Sequence, residues 1–393
     1  MKSILKSLMV ALSTVVILHL ATAGFADDGN RERVETPTPT EQSDSQMTED
    51  QALAGVREIL GLLNTATQYA AKGENDKAIE DLTKAIDLGP ETRAVFFHHI
   101  MRGDLYAEKG LYDRALHDYN IASIMDPTNY LSFLKRGYVH HLIGQNVEAI
   151  QDYNTAIVRQ RDSADGYRGR ANVYFSEGLY EEAIEDFSSA IERKPDDYEA
   201  YGYRAQSYTS IGDYRRAIAD FNKLIESKPS DPALYLYRGV THSLSNQMNL
   251  AVADYERCIS TEEPSPQSNH EYAYLLLTIA NGSSPKAKRE DVIKRFREFV
   301  KAVPSKEWVR TISLFYLDRI SEKDVLIEAR KGRDDKEIKG RLCEAYYYFG
   351  EKMLRNNKRI AALNYFNKSV ETEEYALLEY KVAAVRVAQL KGK

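Results

Sequence analysis

Apolar and polar residues follow a helical rather than a strand period along most of this chain. Short segments place apolar side chains three and four residues apart, as in EEAIEDF, where Ala183 and Phe187 share one helical face. Glycine or asparagine, and further on proline, separate successive segments. Because each segment spans only about a dozen residues, it is marginal as an isolated helix and needs a packed neighbour. The pattern predicts an all-α protein built from pairs of short amphipathic helices.

An internal repeat orders these segments. An alanine recurs every 34 residues, and an earlier copy, Ala78, lies three residues out of register. A small residue precedes each alanine by twelve positions, so we expect the two helices of a pair to approach closely there. Glycine or asparagine takes the turn between them, where a left-handed backbone is needed. The alanines are Ala115, Ala149, Ala183, Ala217 and Ala251; the small residues are Ala66, Gly103, Gly137, Ala171, Ala205 and Gly239; the turn residues are Gly73, Gly110, Gly144, Gly178, Gly212 and Asn246.

This period and arrangement resemble the tetratricopeptide repeat, or TPR. The resemblance implies a solenoid of helical hairpins wound as a right-handed superhelix, with six repeats over residues 51–265. Residues 266–393 break the period and form a divergent helical region. It contains a last repeat-like hairpin around Gly350 and Ala362, and a final helix that we expect to cap the open end.

Charged residues form a second ladder in the same frame. An arginine precedes the small residue, and an aspartate follows the alanine by three positions. A desolvated cation is stable only when it is paired, so we predict that each arginine meets the aspartate of its own second helix or of an adjacent one. A stripe of arginines that binds a ligand is the alternative. The series are Arg102, Arg136, Arg170, Arg204 and Arg238, and Asp118, Asp152, Asp186, Asp220 and Asp254.

The first fifty residues precede the array and differ from it in composition. Two lysines, an apolar run and small residues at Ala23 and Ala26 predict a secretory signal peptide over 1–26. An uncleaved membrane anchor is the alternative. Residues 27–50 are polar and acidic, which predicts a disordered linker. We therefore expect an exported protein, periplasmic or secreted, without a lipid anchor, because no cysteine stands at the cleavage point.

Charge and candidate chemistry exclude several classes of function. Residues 51–393 hold 49 basic and 51 acidic side chains, so nothing indicates a nucleic-acid partner. Adjacent histidines at 98–99 and 140–141 point about 100° apart on a helix, which favours core or groove histidines over a metal site. Cys258 and Cys343 are too few for a disulfide framework, and we expect both to be buried. The chain shows no catalytic motif and no sign of a cofactor, so we predict that it is not an enzyme.

The C-terminal region resembles the NlpI-type TPR proteins of Gram-negative bacteria. The resemblance runs from about Tyr235 to Val385 and depends on AYLLL, KEWVRTISLFYLDRIS and CEAYYYFGEKML. It implies a periplasmic adaptor that docks a carboxy-terminal processing protease and cell-wall hydrolases. This chain lacks the family's lipobox cysteine and has more tandem repeats, so partner identity does not carry over.

The TPR frame also predicts a binding surface. Side chains of the first helices should line a concave groove that accepts an extended peptide or a partner helix. We predict a protein-binding scaffold, with an envelope protease or cell-wall enzyme as partner and a homodimer as one possible state. A structural component of an envelope or secretion assembly and a helical hydrolase are the alternatives. The predicted groove residues are Lys135, Tyr138, His141, Arg168, Asn172, Phe175, Tyr203, Gln206 and Tyr237.

Overall fold

The computed structural model describes residues 39–89, 93–260, 270–281, 285–302, 308–375 and 377–392, and these residues form nineteen α-helices without a strand. The predicted signal peptide and the first part of the predicted linker, residues 1–38, lie outside this description. The chain divides into two compact units, one ending at Ile143 and the other starting at Gly144. Within the described residues, none of the helices combines the length and the apolar character needed to cross a membrane.

The first unit contains two helical hairpins followed by one further helix. Its helices are α1 (Pro39–Lys72), α2 (Asn75–Leu88), α3 (Arg93–Glu108), α4 (Tyr112–Met125) and α5 (Tyr130–Leu142).

Helix α1 begins at Pro39, which corrects the predicted boundary of the disordered linker at residue 50. Proline is well placed at the first helical position because its missing N–H would have no partner there. Extending a helix that has already formed costs little, since each added residue contributes one hydrogen bond. Residues 39–50 are therefore helical although they carry few apolar side chains.

The second unit continues the series of hairpins and then departs from it. Its repeat helices are α6 (Asn146–Arg159), α7 (Ala164–Ser176), α8 (Tyr180–Arg193), α9 (Tyr198–Ile211), α10 (Tyr214–Ser227), α11 (Pro232–Leu244) and α12 (Met248–Ser260). The divergent region consists of α13 (His270–Ala280), α14 (Lys286–Ala302), α15 (Trp308–Tyr316), α16 (Glu322–Ala329), α17 (Asp335–Arg355), α18 (Arg359–Val370) and α19 (Leu378–Lys391).

The turn residues adopt the backbone conformation that the sequence predicts. All five turn glycines have positive φ, between 72° and 85°. Asn246 and Asn357 take the same region at φ 61° and 59°, in the sixth repeat and in the last hairpin. A left-handed residue at this position reverses the chain between two antiparallel helices.

Close approach within the hairpins depends on the small residues. A methyl group added at Gly239 would stand 2.6 Å from the ring of Tyr255, and one at Gly350 would stand 2.6 Å from the ring of Phe366. Both rings are buried. The aromatic ring of each second helix therefore occupies the space that the missing side chain of the first helix leaves.

Replacing Gly239 by alanine is expected to destabilise the protein, whereas the same replacement at Gly202 is expected to stabilise it. Alanine is better than glycine within a helix by up to about 1 kcal/mol. At Gly202 the nearest atom to the added methyl group is 3.8 Å away, so this gain is kept. At Gly239 overpacking against Tyr255 costs about 1–3 kcal/mol and outweighs it. Urea unfolding of the two variants measures both effects, and a destabilised Gly202→Ala variant would contradict this explanation.

Four arginine–aspartate pairs of the ladder form within their own hairpins, as predicted. Arg170 donates from Nε and Nη2 to the two carboxylate oxygens of Asp186, both at 2.7 Å. Arg204 with Asp220, and Arg238 with Asp254, repeat this two-pronged geometry at 2.6–2.9 Å. Arg102 and Asp118 do the same in the first unit, at 2.9 and 2.7 Å.

The remaining guanidinium nitrogen links neighbouring hairpins, which the sequence analysis did not anticipate. Nη1 of Arg238 donates to Asn222 of α10 at 2.7 Å, and Nη1 of Arg204 donates to Ser188 of α8 at 3.1 Å. Each acceptor lies sixteen residues before its arginine, on the second helix of the preceding repeat. One arginine thus closes its own hairpin and fixes it to the previous one.

The divergent region surrounds the largest apolar core of the second unit. This core joins side chains of α11 and α12 to those of α13–α18, among them Leu275, Phe296, Ile312 and Phe349. Cys258 and Cys343 are both buried, as expected, and burial raises the pKa of each thiol to about 12. The final helix packs on α17 and α18 and in addition reaches the first helices of three repeats.

Candidate functional site

The predicted groove residues of the first unit all lie on α5. Lys135 Nζ pairs with Asp104 Oδ2 of α3 at 2.9 Å, which fixes its charge against the neighbouring hairpin. Tyr138 is exposed, and His141 is half-buried. Of the predicted groove residues on α5, Tyr138 therefore has the most accessible aromatic ring.

The histidine pair of α3 belongs to the core of the same unit. His98 and His99 are both buried, and burial lowers the pKa of His98 to about 4. His99 Nδ1 lies 2.8 Å from Asp118 Oδ1, so it shares the carboxylate that Arg102 binds. Burial alone would raise the pKa of Asp118, but the hydrogen bonds from Arg102 and His99 lower it below its ordinary value. Across the described residues, no cluster of three or more His, Cys, Asp or Glu side chains could hold a metal ion.

In the second unit, the polar groove residues of α7 differ in how far they are engaged. Arg168 lies within 3.1–3.4 Å of three carboxylates, those of Asp165, Asp197 and Glu199. Asn172, one turn further along α7, buries its amide oxygen without a hydrogen-bond partner among the described residues. This rim of the groove therefore carries more negative than positive charge, and one amide oxygen on it is free to accept a hydrogen bond.

The aromatic groove residues form two groups of packed rings. Phe175 of α7 meets Tyr203 of α9 edge to face at 5.1 Å, and Tyr203 stacks on Phe187 of α8 at 5.8 Å. Tyr237 of α11 stacks on Phe221 of α10 at 6.3 Å. Burial raises the pKa of both Tyr203 and Tyr237, and the negative charge of Glu199 adds to the effect at Tyr203. The structure thus brings together two of the predicted groove residues, Phe175 and Tyr203, from adjacent repeats.

Helix α19 covers part of this groove. Lys381 of α19 places its ammonium nitrogen 3.8 Å from the centre of the Phe175 ring and 5.9 Å from that of Tyr180. Leu378, Lys381 and Val382 line a cavity together with Gln206 and Tyr237. Three predicted groove residues, Phe175, Gln206 and Tyr237, therefore already contact a helix of the same chain.

The segment before α19 contributes to the same contact. The hydroxyl group of Tyr180 donates to the carbonyl oxygen of Tyr375 at 3.1 Å. The ring of Tyr375 lies so close to Gly178 that a methyl group there would meet it at 2.7 Å. At the other end of the helix, the Gln389 amide donates to the carbonyl oxygen of Leu244 at 3.4 Å. Tyr375 and residues 377–389 thus run along the face formed by α7, α9 and α11.

Lys381 is the most unusual charged group of the covered face. Only 4% of the residue is exposed, and its Nζ has no hydrogen-bond partner among the described residues. Burial lowers the pKa of Lys381 to about 7, although the nearby Glu379 acts in the opposite direction. The ring faces of Phe175 and Tyr180 attract the ammonium group but compensate its burial only in part, since its pKa stays below the ordinary value.

A buried and a half-buried carboxyl group lie on the opposite side of α19. Glu379 of α19 accepts a hydrogen bond from the Tyr348 hydroxyl at 3.4 Å, and Glu344 of α17 accepts one from the Tyr272 hydroxyl at 3.1 Å. Burial raises the pKa of both groups, and the charge of Glu379 raises that of Glu344 further. The sequence analysis missed this cluster because its members come from three separate helices, α13, α17 and α19.

Comparison with known proteins identifies the repeats. The tetratricopeptide repeat family model matches residues 100–166, 144–198, 168–232 and 204–267. No curated protein is a significant match to the whole sequence.

Several solved structures are similar to this chain at low sequence identity. A TPR-containing protein of Cytophaga hutchinsonii is 20% identical, with a TM-score of 0.53 over 62% of this chain and 96% of that one. A tetratricopeptide repeat protein of Parabacteroides merdae is 21% identical, with a TM-score of 0.49 over 67% of this chain and 99% of that one. YrrB, described as a TPR protein with an unusual peptide-binding site, is 20% identical, with a TM-score of 0.41 over 46% of this chain and 92% of that one.

The predicted fold class is therefore confirmed. The hairpins, their left-handed turns and the family match agree that residues 100–267 form an array of tetratricopeptide repeats.

Proposed function

We propose that this protein is an exported scaffold that brings an envelope protease or cell-wall hydrolase to its substrates by binding one of them along the groove of α7, α9 and α11. The observation that carries the proposal is that this groove already holds a helix. Helix α19 lies in it, with Nζ of Lys381 3.8 Å from the centre of the Phe175 ring. A groove lined by amphipathic aromatic side chains beside polar groups is suited to a peptide or helix ligand.

Export and the class of partner are inferred from the sequence. The basic, apolar and small-residue order of residues 1–26 is typical of a secretory signal peptide. The C-terminal motifs resemble NlpI-type adaptors, which act on envelope proteases and cell-wall hydrolases. The near-neutral charge of residues 51–393 fits a protein partner better than a nucleic acid.

Site-specific photocrosslinking of the full chain in cells tests this function. A benzoylphenylalanine at Tyr203 in the groove should crosslink an envelope protease or a cell-wall hydrolase. The same residue at Ile124, which is 77% exposed on α4, is the control and should not. A Phe175→Leu variant, which removes the ring but keeps this buried position apolar, should reduce the Tyr203 crosslink by about tenfold, since hot-spot aromatics contribute about 2 kcal/mol or more. Circular dichroism checks that the variant is folded.

Two outcomes would contradict the proposal. One is equal crosslinking of the same proteins from Ile124 and Tyr203. The other is stoichiometric recovery of this chain within a multi-subunit complex that contains neither a protease nor a hydrolase, which would instead identify it as a component of an envelope or secretion assembly.

A further inference from the structure

The face beneath α19 has the features of a binding site that a segment of the same chain occupies. Its lining comes from three successive repeats, through Phe175 of α7, Gln206 of α9 and Tyr237 of α11. These residues were predicted from the repeat frame as positions for a ligand, and not as core positions. The occupant, α19, lies outside the repeat array.

The contact is less well satisfied than the packing within the hairpins. Lys381 is buried with an unpartnered ammonium group, whereas the half-buried arginines of the ladder, such as Arg170, are held by two carboxylate oxygens. Two cavities follow the interface, and both are lined by Leu378 and Val382. Voids and unpaired polar groups both reduce the stability of a contact. The groove thus binds α19 less tightly than the buried area of this helix would suggest.

The backbone connection to α19 is short and contains one residue in the left-handed region. Helix α18 ends at Val370, and α19 begins at Leu378. Between them Glu373 has φ 58°, a conformation that costs a residue with a side chain about 1 kcal/mol or more. The N–H of this residue donates to the carbonyl oxygen of Val370 at 3.2 Å, so it closes the last turn of α18.

We propose that α19 can leave this groove and that a helix of a partner protein then takes its place. This partner helix is amphipathic and has a lysine placed between apolar residues at the spacing of Leu378, Lys381 and Val382. This inference rests on the proposed function and names the chemistry of the ligand. The lysine of the partner helix stands over the rings of Phe175 and Tyr180. Its apolar residues pack on Tyr237, Val240 and Leu244, the face that Leu378 and Val382 of α19 cover.

The charges around the groove favour a basic ligand over an acidic one. Asp165, Asp197 and Glu199 surround the single guanidinium of Arg168. Two of these, Asp197 and Glu199, belong to the start of α9, as N-cap and first-turn residue. An acidic helix would meet this rim with like charges, which is unfavourable at an interface.

A peptide of residues 374–392, labelled with fluorescein, tests the proposal in fluorescence anisotropy against the full chain. In the wild-type protein α19 competes with the peptide. The Lys381→Glu variant replaces the cation over the rings by an anion, which weakens the resident helix but leaves the peptide unchanged. We expect this variant to bind the peptide at least about tenfold more tightly than the wild type does.

Matched variants separate groove binding from other effects. Lys391→Glu makes the same charge change at an exposed position of α19 and should leave peptide binding at the wild-type level. A peptide that itself carries Lys381→Glu should bind the Lys381→Glu protein about tenfold more weakly than the native peptide does. Adding Phe175→Leu to the Lys381→Glu protein removes the ring, keeps the buried position apolar and should have a similar effect. Binding that is the same within a factor of about two across all these chains and peptides would overturn the proposal.

A second variant keeps the test decisive where Lys381→Glu fails to fold. Lys381→Met keeps the length of the side chain and removes its buried charge, so it should hold α19 more firmly. Hydrogen exchange of the α19 amides should then slow by about tenfold relative to the wild type, while exchange in α13 stays the same. An unchanged or faster exchange in α19 would overturn the proposal.

The two proposals fail in different ways. Peptide binding to the opened groove supports exchange of α19 even where Tyr203 crosslinks no protease or hydrolase. A crosslink to such an enzyme, together with no peptide binding and no change in α19 exchange, supports the proposed function and overturns the exchange of α19.

Discussion

Replacing Asp186 by arginine is expected to lower the free energy of unfolding by at least about 3 kcal/mol, because breaking a buried ion pair leaves an uncompensated charge. Asp186 is only 6% exposed and accepts both hydrogen bonds of Arg170 at 2.7 Å. The reversal therefore places two cations together where water cannot screen them.

The effect should extend beyond one hairpin. Arg170 also donates to Asn154 of α6, so its displacement loosens the contact with the preceding repeat. In a repeat array the interfaces between neighbours contribute much of the stability. Urea unfolding followed by circular dichroism should show a lower midpoint, and a shallower transition would show that cooperativity between repeats is lost.

Glu185 supplies the matched control for this prediction. It lies next to Asp186 on α8 and is exposed, so Glu185→Arg makes the same change in net charge without breaking the pair. It should alter the free energy of unfolding by no more than about 0.5 kcal/mol. Equal destabilisation by both variants would show that net charge, and not the buried ladder, is responsible.

Replacing Glu351 by alanine is expected to have a comparable effect on the divergent region. Glu351 of α17 is 3% exposed, and its Oε1 accepts from Nε of Arg386 on α19 at 2.8 Å. Removing the carboxylate leaves the Arg386 cation buried without this partner, at a cost of about 3–5 kcal/mol. Because Arg386 belongs to α19, the first response should be release of that helix.

Hydrogen exchange and a double variant check this prediction. In Glu351→Ala the α19 amides should exchange faster, while those of α8 keep the wild-type rate. The apolar pair Glu351→Leu with Arg386→Met should regain stability to within about 1 kcal/mol of the wild type, since a well-packed apolar pair can replace a buried ion pair. Continued instability of the double variant would show that packing around Glu351, and not its charge, is what matters.

The repeat frame could be predicted in detail because it depends on local geometry. Gly73, Gly212 and Asn246 stand at turns where only a left-handed residue closes the hairpin, and all three have positive φ. The pairing of Arg170 with Asp186 followed from equal periods and from the need to neutralise a buried cation. The acceptors on the preceding repeat, such as Asn222, follow the same period and could have been found from it.

The start of the folded region was less predictable. The polar composition of residues 39–50 indicated disorder, yet α1 includes them because propagation from an existing helix needs no apolar face. Composition reports how much surface a segment can bury, and it does not report whether a neighbouring helix extends into it.

By itself, the sequence determined the helical period, the hairpins, their turns and the charge ladder, since each depends on residues at a fixed spacing within one or two repeats. Only the tertiary structure decided that α19 lies along α7, α9 and α11 and buries Lys381 on Phe175, about two hundred positions away in the chain. No period links those residues, because their contact depends on the path of the whole divergent region. The spacing of side chains along a helix is local, whereas the choice of which groove a terminal helix fills is made by packing between distant segments.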